Sequence, residues 1–409
     1  MADCRLSVEQ ANVRNAVDCL HHVVELDPNF AQAWMALGMA QVGVHDRDEG
    51  IRSMQRAIEL EPSQKLYYRP LATALIATKR EAEALDVWKK LQGLTPDDLD
   101  VAKNIVSILV NLDRYQEALP QLERLVKQPG GSVFLLELAD AYARTGQNDS
   151  AVDAFQRALQ VDSSPDSLNA VAYVLTLDHL RLDLAQQYAE QGVRQREQAT
   201  STISLESLNY DNLRNIPGLG GDWDTLGWVY FNLGKYDLAE RYLNAGWNLL
   251  ESSTIGDHLG QVYEKLGRRN DAIEAYAAAI VAGDAPPNSS QRLEVLCGSN
   301  DTAAAEIEQA RANLHRLRTV KVDFPAETIS KAEFFVLLRQ GPKVVDVRFI
   351  KGPDSLTNAR AAIAGASFHA PFPNDAPTQL VRRGVLTCQS RASGCEFELI
   401  PPDRVQSIE

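Results

Sequence analysis

A repeat of 34 residues constrains the fold of this chain more than any other feature. Its clearest copy holds Trp223, Leu226, Gly227 and Tyr230, followed by Ala239. If the tryptophan is position 4 of the unit, positions 4, 7, 8 and 11 share one face of a helix, because they are spaced three and four apart. Positions 20, 24 and 27 share one face of a second helix. The sequence therefore predicts an array of paired helices.

The same frame fits other parts of the chain. A fifth unit, from Asp166 to about Glu197, is degenerate: Ala170 and Tyr173 fit core positions only if the turn near 178–183 is lengthened. The remaining copies place large or small apolar residues, or a terminating proline, on the repeated positions: Trp34, Leu37, Gly38, Met54, Ala57 and Pro62; Tyr68, Leu71, Ala72, Ala84 and Trp88; Ile105, Leu109, Ala118 and Leu122; Leu138, Ala139, Ala151 and Phe155; Leu259, Gly260, Ala272 and Tyr276.

The phrase Trp-x2-Leu-Gly-x2-Tyr followed by alanine resembles the signature of tetratricopeptide repeat (TPR) proteins. The resemblance implies a mostly α fold over residues 1–317, a right-handed superhelix of about seven repeats. Helices at about Val8–Leu26 and Asp301–Arg318 would cap its two ends, because a single helix pair cannot bury both of its faces. TPR arrays bind protein segments on a concave surface, so the implied function is that of a non-enzymatic scaffold for protein–protein interaction.

Residues 198–221 interrupt the array between the fifth and sixth units. We predict an inserted loop here. A flexible hinge is the alternative, but the segment is too apolar for a fully solvated linker, which favours a loop packed on the array. The apolar residues are Ile203, Leu205, Leu208, Tyr210, Leu213 and Ile216.

The helical period disappears after Arg318, and residues 318–409 are predicted to form a small α+β domain. The predicted order is β-β-α-β-β, with a hairpin turn at Arg339–Pro342. The elements are strands at 332–338 and 343–350, a short helix at 354–364, and strands at 384–388 and 395–400.

The strand at 343–350, the helix after it and the segment Ser367–Pro373 resemble the C-terminal domain of TonB-type energy transducers. This resemblance implies that an edge of the sheet receives an extended peptide. Repeats six and seven with the tail are similar to the end of large exported bacterial proteins that carry a transglutaminase-like domain. Two other functions follow as alternatives: a docking or regulatory part of such a transglutaminase- or protease-like protein, and energy transduction, which needs a membrane anchor.

Net charge narrows the choice of partner. The chain carries −14, from 41 basic and 55 acidic residues, and the 12 basic and 10 acidic residues from Arg318 onward give the tail +2. The first 317 residues therefore carry −16 and repel phosphate backbones and anionic lipid. We predict a basic or apolar peptide or protein partner and no nucleic acid. The sequence shows neither a signal peptide nor a transmembrane segment; the resemblance favours an exported or periplasmic bacterial protein, with the cytoplasm as the alternative.

The sequence offers little for catalysis. It contains no nucleophile motif, phosphate loop or metal-ligand spacing, so we predict no enzyme activity, cofactor or metal. Cys388 and Cys395 flank a predicted turn, where neighbouring strands can meet disulfide geometry. A disulfide and two reduced strand cysteines are both compatible with this pattern.

Helix A positions that are not used for the core line the concave face of TPR arrays. Two sets of residues occupy these positions, and we predict that both contact the partner. In repeats six and seven, exposed aromatic rings beside carboxylates suit an apolar segment that carries lysine or arginine. Packing of Trp228 and Phe231 against the inserted loop or the tail domain is the alternative. This set comprises Asp224, Trp228, Phe231, Asp257, His258 and Gln261; the set in the first three repeats comprises Met35, Met39, Arg69, Lys103 and Asn104.

Overall fold

The computed structural model describes residues 13–325, 329–341, 343–389 and 394–401, without the side chain of Lys343. The protein is mostly helical and ends in a small antiparallel sheet. It divides into two units, residues 1–161 and 162–409. The change from helix to strand lies at Arg318 and Thr319. The second unit includes helices as well as the sheet.

The described part of the first unit contains a first helix followed by four helix pairs. The part of the predicted capping helix before Val13 lies outside the described residues. The helices are α1 Val13–Leu26, α2 Ala31–Gly43, α3 Arg47–Leu60, α4 Tyr68–Ala77, α5 Glu81–Leu94, α6 Leu99–Asn111, α7 Tyr115–Val126, α8 Leu135–Arg144 and α9 Asn148–Val161.

The repeated positions form the core of the first unit. The large residues of each pair are buried, among them Leu37, Met54 and Trp88. The small residues allow the two backbones of a pair to approach each other. A Cβ atom added at Gly38 would lie 2.6 Å from the main-chain oxygen of Gly50, on the partner helix. Stability in this unit therefore depends on stacked pairs and on close contact within each pair.

The helices of the second unit continue the pairing. Repeats six and seven are the pairs α12–α13 and α14–α15, and the pair α16–α17 follows where the sequence analysis placed one capping helix. The helices are α10 Pro165–Leu177, α11 Leu182–Thr200, α12 Tyr210–Asn232, α13 Tyr236–Leu250, α14 Ser253–Lys265, α15 Arg269–Ala282, α16 Pro287–Cys297 and α17 Asn300–Arg318.

The fifth repeat differs from its predicted frame. Tyr173 is 37% exposed and Ala170 is also exposed, whereas Leu168, Val171 and Ala172 are buried. The helix begins at Pro165, whose fixed backbone suits the first helical position, and the side chain of Ser164 caps it. The helix that these signals begin therefore buries Leu168, Val171 and Ala172 in place of Ala170 and Tyr173.

The predicted loop at 198–221 is largely helical. α11 extends to Thr200 and α12 begins at Tyr210, so the connection between them is short. The side chain of Asn209 caps α12 by accepting a hydrogen bond from the main-chain nitrogen of Asn212 at 2.9 Å. Three apolar residues of the connection are buried, Ile203, Leu205 and Leu208, whereas Tyr210 is 72% exposed.

The tail forms one antiparallel sheet of five strands in the order β1-β5-β4-β2-β3. It has one more strand at its start than predicted, and the turn residue Pro342 lies outside the described residues. A 3₁₀ turn at Asp354–Ala359 precedes the short helix α18. The elements are β1 Thr319–Val322, β2 Ser330–Arg339, β3 Lys343–Lys351, α18 Arg360–Ala364, β4 Gln379–Cys388 and β5 Cys395–Ile400.

Two hydrogen bonds join the sheet to the connection between α11 and α12. Arg348 on β3 donates to the main-chain oxygen of Leu205 at 2.6 Å, and Gln379 on β4 donates to that of Ser201. Both acceptors lie in the connection between α11 and α12. This connection therefore supports the sheet.

Cys388 and Cys395 form a disulfide between the paired strands β4 and β5. The bond closes a short loop, part of which, 390–393, lies outside the described residues. We expect the double change Cys388→Ser and Cys395→Ser to lower the free energy of unfolding of the sheet by about 2 kcal/mol, because the unfolded chain regains loop entropy. Hydrogen exchange of the β4 and β5 amides measures the loss. The matched control is Cys297→Ser, which removes a free cysteine; an equal effect in the two variants would contradict the expectation.

Candidate partner-binding surface

Three parallel rings form a stack on neighbouring helices of repeats six and seven. Trp228 lies between Phe231, from its own helix α12, and His258, from α14. Its ring centroid is 4.6 Å from that of Phe231 and 4.0 Å from that of His258, with interplanar angles of 8° and 12°. The ring of Tyr236 is tilted by 55° against that of Phe231, and their centroids are 5.7 Å apart. We call Phe231, Trp228, His258 and Asp224 the aromatic surface.

A carboxylate fixes the histidine of the stack. Asp224 lies one helical turn before Trp228, and its Oδ1 atom is 2.8 Å from Nδ1 of His258. This contact joins α12 to α14 and holds the imidazole parallel to the indole ring. His258 is buried, whereas Trp228 and Phe231 are half-buried. The surface therefore offers the two aromatic side chains to a partner more fully than the histidine.

Asp257 is buried and joins two helices. Its two carboxylate oxygens accept hydrogen bonds from Ser289 at 2.6 Å and from Gln261 at 2.8 Å. The contact with Ser289 joins α14 to α16. Gln261 is half-buried and uses its amide nitrogen for the bond to Asp257. Of the carboxylates predicted here, Asp224 is the one beside the aromatic rings.

The residues predicted in the first repeats do not form one surface of shared chemistry. Met35 is 6% exposed and packs in the core of the first unit, whereas Met39 is 54% exposed. Met35 is on the buried side because α2 packs against helices on more than one face. The prediction that Met35 lines a groove is inconsistent with this placement.

The charged and polar residues that were predicted to contact a partner in the first repeats already have partners within the protein. Arg69 donates to Asp98 at 2.8 Å and lies over the ring of Trp88. Lys103 lies over the ring of Phe134.

Asn104 donates to the main-chain oxygen of Asp100 at 2.7 Å. A ligand would have to replace these contacts, so the aromatic surface is the better candidate.

The tail covers a different part of repeat six. Asn374 donates to Glu197 at 2.9 Å and to the hydroxyl oxygen of Tyr242 at 3.2 Å, and Phe372 contacts the ring of Trp223 edge-on. Burial raises the pKa of the Glu197 carboxyl, while hydrogen bonds from Asn374 and Trp223 act in the opposite direction. The sequence analysis missed this contact, because the residues concerned are far apart in the chain.

Within the described residues, no group of three or more histidine, cysteine, aspartate or glutamate side chains is arranged to hold a metal ion. No helix in the described ranges is long and apolar enough to cross a lipid bilayer.

Family comparisons identify the repeats. Models described as tetratricopeptide repeat match residues 104–167, and also residues 223–246 and 257–280. The chain therefore contains tetratricopeptide repeats. A model described as a bacterial transcriptional activator domain matches residues 9–104. The resemblances proposed for the tail stay predictions.

Individual relatives are distant. The chain is 28% identical to superkiller protein 3 of Schizosaccharomyces pombe over 161 residues, which is 37% of this chain and 11% of that protein. It spans less than half the length of the curated relatives it matches.

Among solved structures, a tetratricopeptide repeat protein from Parabacteroides merdae aligns with 65% of this chain and 98% of its own, at 14% identity and a TM-score of 0.49. YrrB, described as a TPR protein with an unusual peptide-binding site, aligns with 44% of this chain and 93% of its own chain, at 18% identity and a TM-score of 0.36.

Proposed function

We propose that this protein is a non-enzymatic scaffold that binds a peptide or protein segment, and that the aromatic surface is a binding site. The stack of Trp228 between Phe231 and His258 is the observation that carries the proposal. Tryptophan is enriched among the few residues that carry most of the binding energy of protein interfaces, and phenylalanine is enriched in the interface core. The repeats bring these rings together from two helices, which prepares a rigid surface at little entropic cost.

The chemistry of the surface supports a partner that combines apolar and basic residues. Asp224 places a carboxylate beside the indole ring, and a carboxylate attracts a lysine or arginine cation. The acidic repeats favour the approach of a basic segment over long range. An acidic segment would meet repulsion from the same charges.

The change Trp228→Ala tests the binding site. We expect it to weaken binding of lysine- and arginine-containing apolar peptides about tenfold, because the centre of the stack is lost. Binding is measured with full-length protein on an array of ten-residue peptides, each paired with a version in which glutamate replaces the basic residues. The melting temperature should fall by no more than a few degrees, since the side chain is half-buried.

A matched control is Tyr210→Ala, which removes an exposed aromatic residue from the start of the same helix. It should leave binding unchanged. The proposal is wrong if Trp228→Ala binds the array as the unchanged protein does, or if the glutamate-containing peptides bind equally well. A large loss of thermal stability would assign Trp228 to the core.

The outer edge of β3 is a second candidate site, for an extended peptide. The strand order places β3 at one edge of the sheet, where main-chain groups on the outer side can pair with an added strand. Val345 is exposed on this strand, beside a shift in its register with β2. This arrangement supports the function that the TonB-type resemblance implies.

A positively charged substitution on the edge strand β3 tests whether this strand binds an extended peptide. We expect Val345→Lys to remove binding of extended apolar peptides, because a lysine on an edge strand opposes further pairing. Hydrogen exchange of the β3 amides in the full-length protein, with and without peptide, measures the pairing. Trp228→Ala should leave this signal unchanged, and peptide binding without any protection of β3 would contradict the second site.

A further inference from the structure

A buried arginine on the central strand β4 lacks a negatively charged partner. Arg382 is 4% exposed, and its Nη1 atom donates to the main-chain oxygen of Asn248 at 3.2 Å. Its Nε atom has no hydrogen-bond partner among the described residues. Burial, together with the positive charge of Arg318, lowers the pKa of Arg382 to about 10. A buried cation in such surroundings is costly unless an anion accompanies it.

The neighbouring arginine shows how this protein satisfies a guanidinium. Arg383 donates to Glu333 through its Nε atom at 2.8 Å. Glu251, whose carboxylate lines the same small cavity, is instead paired with Arg318, whose Nε atom lies 2.6 Å from the Oε1 atom of Glu251. The two arginines and Glu251 together carry one net positive charge, which matches a single monoanion.

The guanidinium of Arg382 lines a small cavity that adjoins a larger one. The space beside Arg382 is about 20 Å³, enough for one small polar group. The neighbouring cavity is about 210 Å³. Both are lined by Trp247, Leu314 and the exposed His369.

The larger cavity combines apolar and hydrogen-bonding groups. Leu259 and Ala278 provide apolar walls, and the polar lining includes two side-chain amides and two carboxylates: Asn244, Asn313, Asp271 and Glu274. The apolar walls and amides suit a compact ligand body with an aliphatic group and an amide. The two carboxylates disfavour a second negative charge here, so the carboxylate of a ligand belongs at Arg382.

We propose that Arg382 and the adjoining cavity bind a monocarboxylate with an apolar, amide-containing body. A carboxylate oxygen would accept the unused Nε hydrogen of Arg382, because the planar guanidinium matches the geometry of a carboxylate. The body of the ligand would occupy the space beside Trp247 and Asn313. The site lies on α13–α15, α17 and β4, and the inference does not depend on the aromatic surface.

A monocarboxylate with an apolar, amide-containing body can be either a free acylated amino acid or the C-terminus of a polypeptide. Calorimetric titration of the full-length protein compares three probes: N-acetyl-leucine, N-acetyl-leucinamide, and an N-acetylated tripeptide that ends in leucine with a free carboxylate. We expect at least one carboxylate probe to bind at least tenfold more tightly than the amide. Preference for the tripeptide identifies a chain end as the source, and preference for N-acetyl-leucine identifies a free acid.

Two variants locate the binding. Arg382→Gln removes the charge, and Ala275→Leu fills the larger cavity without altering Arg382. Each should weaken carboxylate binding at least tenfold. The matched control is Arg311→Gln, which removes an exposed arginine from α17 and should leave binding unchanged.

Three results would overturn the proposal: neither carboxylate probe binding more tightly than N-acetyl-leucinamide, no binding of either carboxylate probe at millimolar concentration, or unchanged binding in a folded Arg382→Gln protein. If Arg382→Gln does not fold, Ala275→Leu decides in its place. The melting temperature of ligand-free Arg382→Gln adds a second readout. We expect it to equal or exceed that of the unchanged protein, because the variant removes an unpaired buried charge.

Discussion

Replacing Arg196 by methionine should lower the free energy of unfolding of the second unit by about 3–5 kcal/mol. Arg196 lies on α11 and is buried, as is Asp222 on α12, and its Nε atom donates to the carboxylate of Asp222 at 2.6 Å. The same guanidinium donates to Asp166 on α10 at 2.5 Å and to Asn215 at 3.3 Å. Loss of the Arg196 guanidinium leaves the Asp222 carboxylate buried without a counter-charge.

Hydrogen exchange of the α11 and α12 amides in the full-length protein measures this loss. The matched control, Arg194→Met, removes an exposed arginine from the same helix, 3.6 Å from Glu190, and should cost less than about 1 kcal/mol. Adding Asp222→Asn to Arg196→Met should restore part of the stability, because the unpaired charge is then removed. Equal effects of Arg196→Met and Arg194→Met would contradict the assignment of a buried network.

Replacing Gly38 by leucine should destabilise the first unit by about 3 kcal/mol, at the upper end of the usual cost of overpacking. A Cβ atom at this position would meet the Gly50 main-chain oxygen and the Cγ atom of Met54, both at 2.6 Å. The Gly50 contact involves backbone, so a change of rotamer cannot relieve it. The pair α2–α3 would have to separate.

Gly93→Leu is the same change at a helical position with open space around it. Apart from its chain neighbours and the nearby backbone of its own helix, no atom lies within 4 Å of a Cβ atom added at Gly93. The higher helix propensity of leucine should therefore stabilise the unit by about 0.5–1 kcal/mol. Opposite signs for the two variants are expected in chemical denaturation monitored by circular dichroism. Destabilisation of similar size in both would show that glycine packing does not control this repeat.

The repeated positions could be predicted because each repeat obeys a local rule. Gly38, Trp88 and Tyr276 occupy the expected positions and lie in the core, since helical spacing alone decides which residues share a face. The fifth repeat was misplaced because its start depends on Ser164 and Pro165, a helix cap that the repeat frame does not include. Capping by Asn209 and burial of Ile216 and Leu219 also produced a helix from Tyr210 onward, where the sequence analysis predicted an inserted loop packed on the array.

The candidate sites could be predicted in part. The helix position of Trp228 was visible in the sequence, but its stack with His258 depends on how one repeat lies on the next. Arg382 was not singled out, because its significance comes from what surrounds it: a main-chain oxygen on α13, and a carboxylate already paired with Arg318. Contacts between segments that are far apart in the chain produce no local sequence pattern, so they could not be predicted from the sequence.

The junction between α17 and β1 has a mechanical consequence. Arg318 ends the helix and Thr319 begins the strand, with no turn between them, and the side chain of Arg318 is bound to Glu251 at the end of α13. Tension applied to the sheet through β1 would therefore act along the axis of α17 and reach a second helix through the ion pair. A flexible linker of several residues would extend under such tension before the helix experienced it. This direct junction instead transmits the tension to the neighbouring repeats.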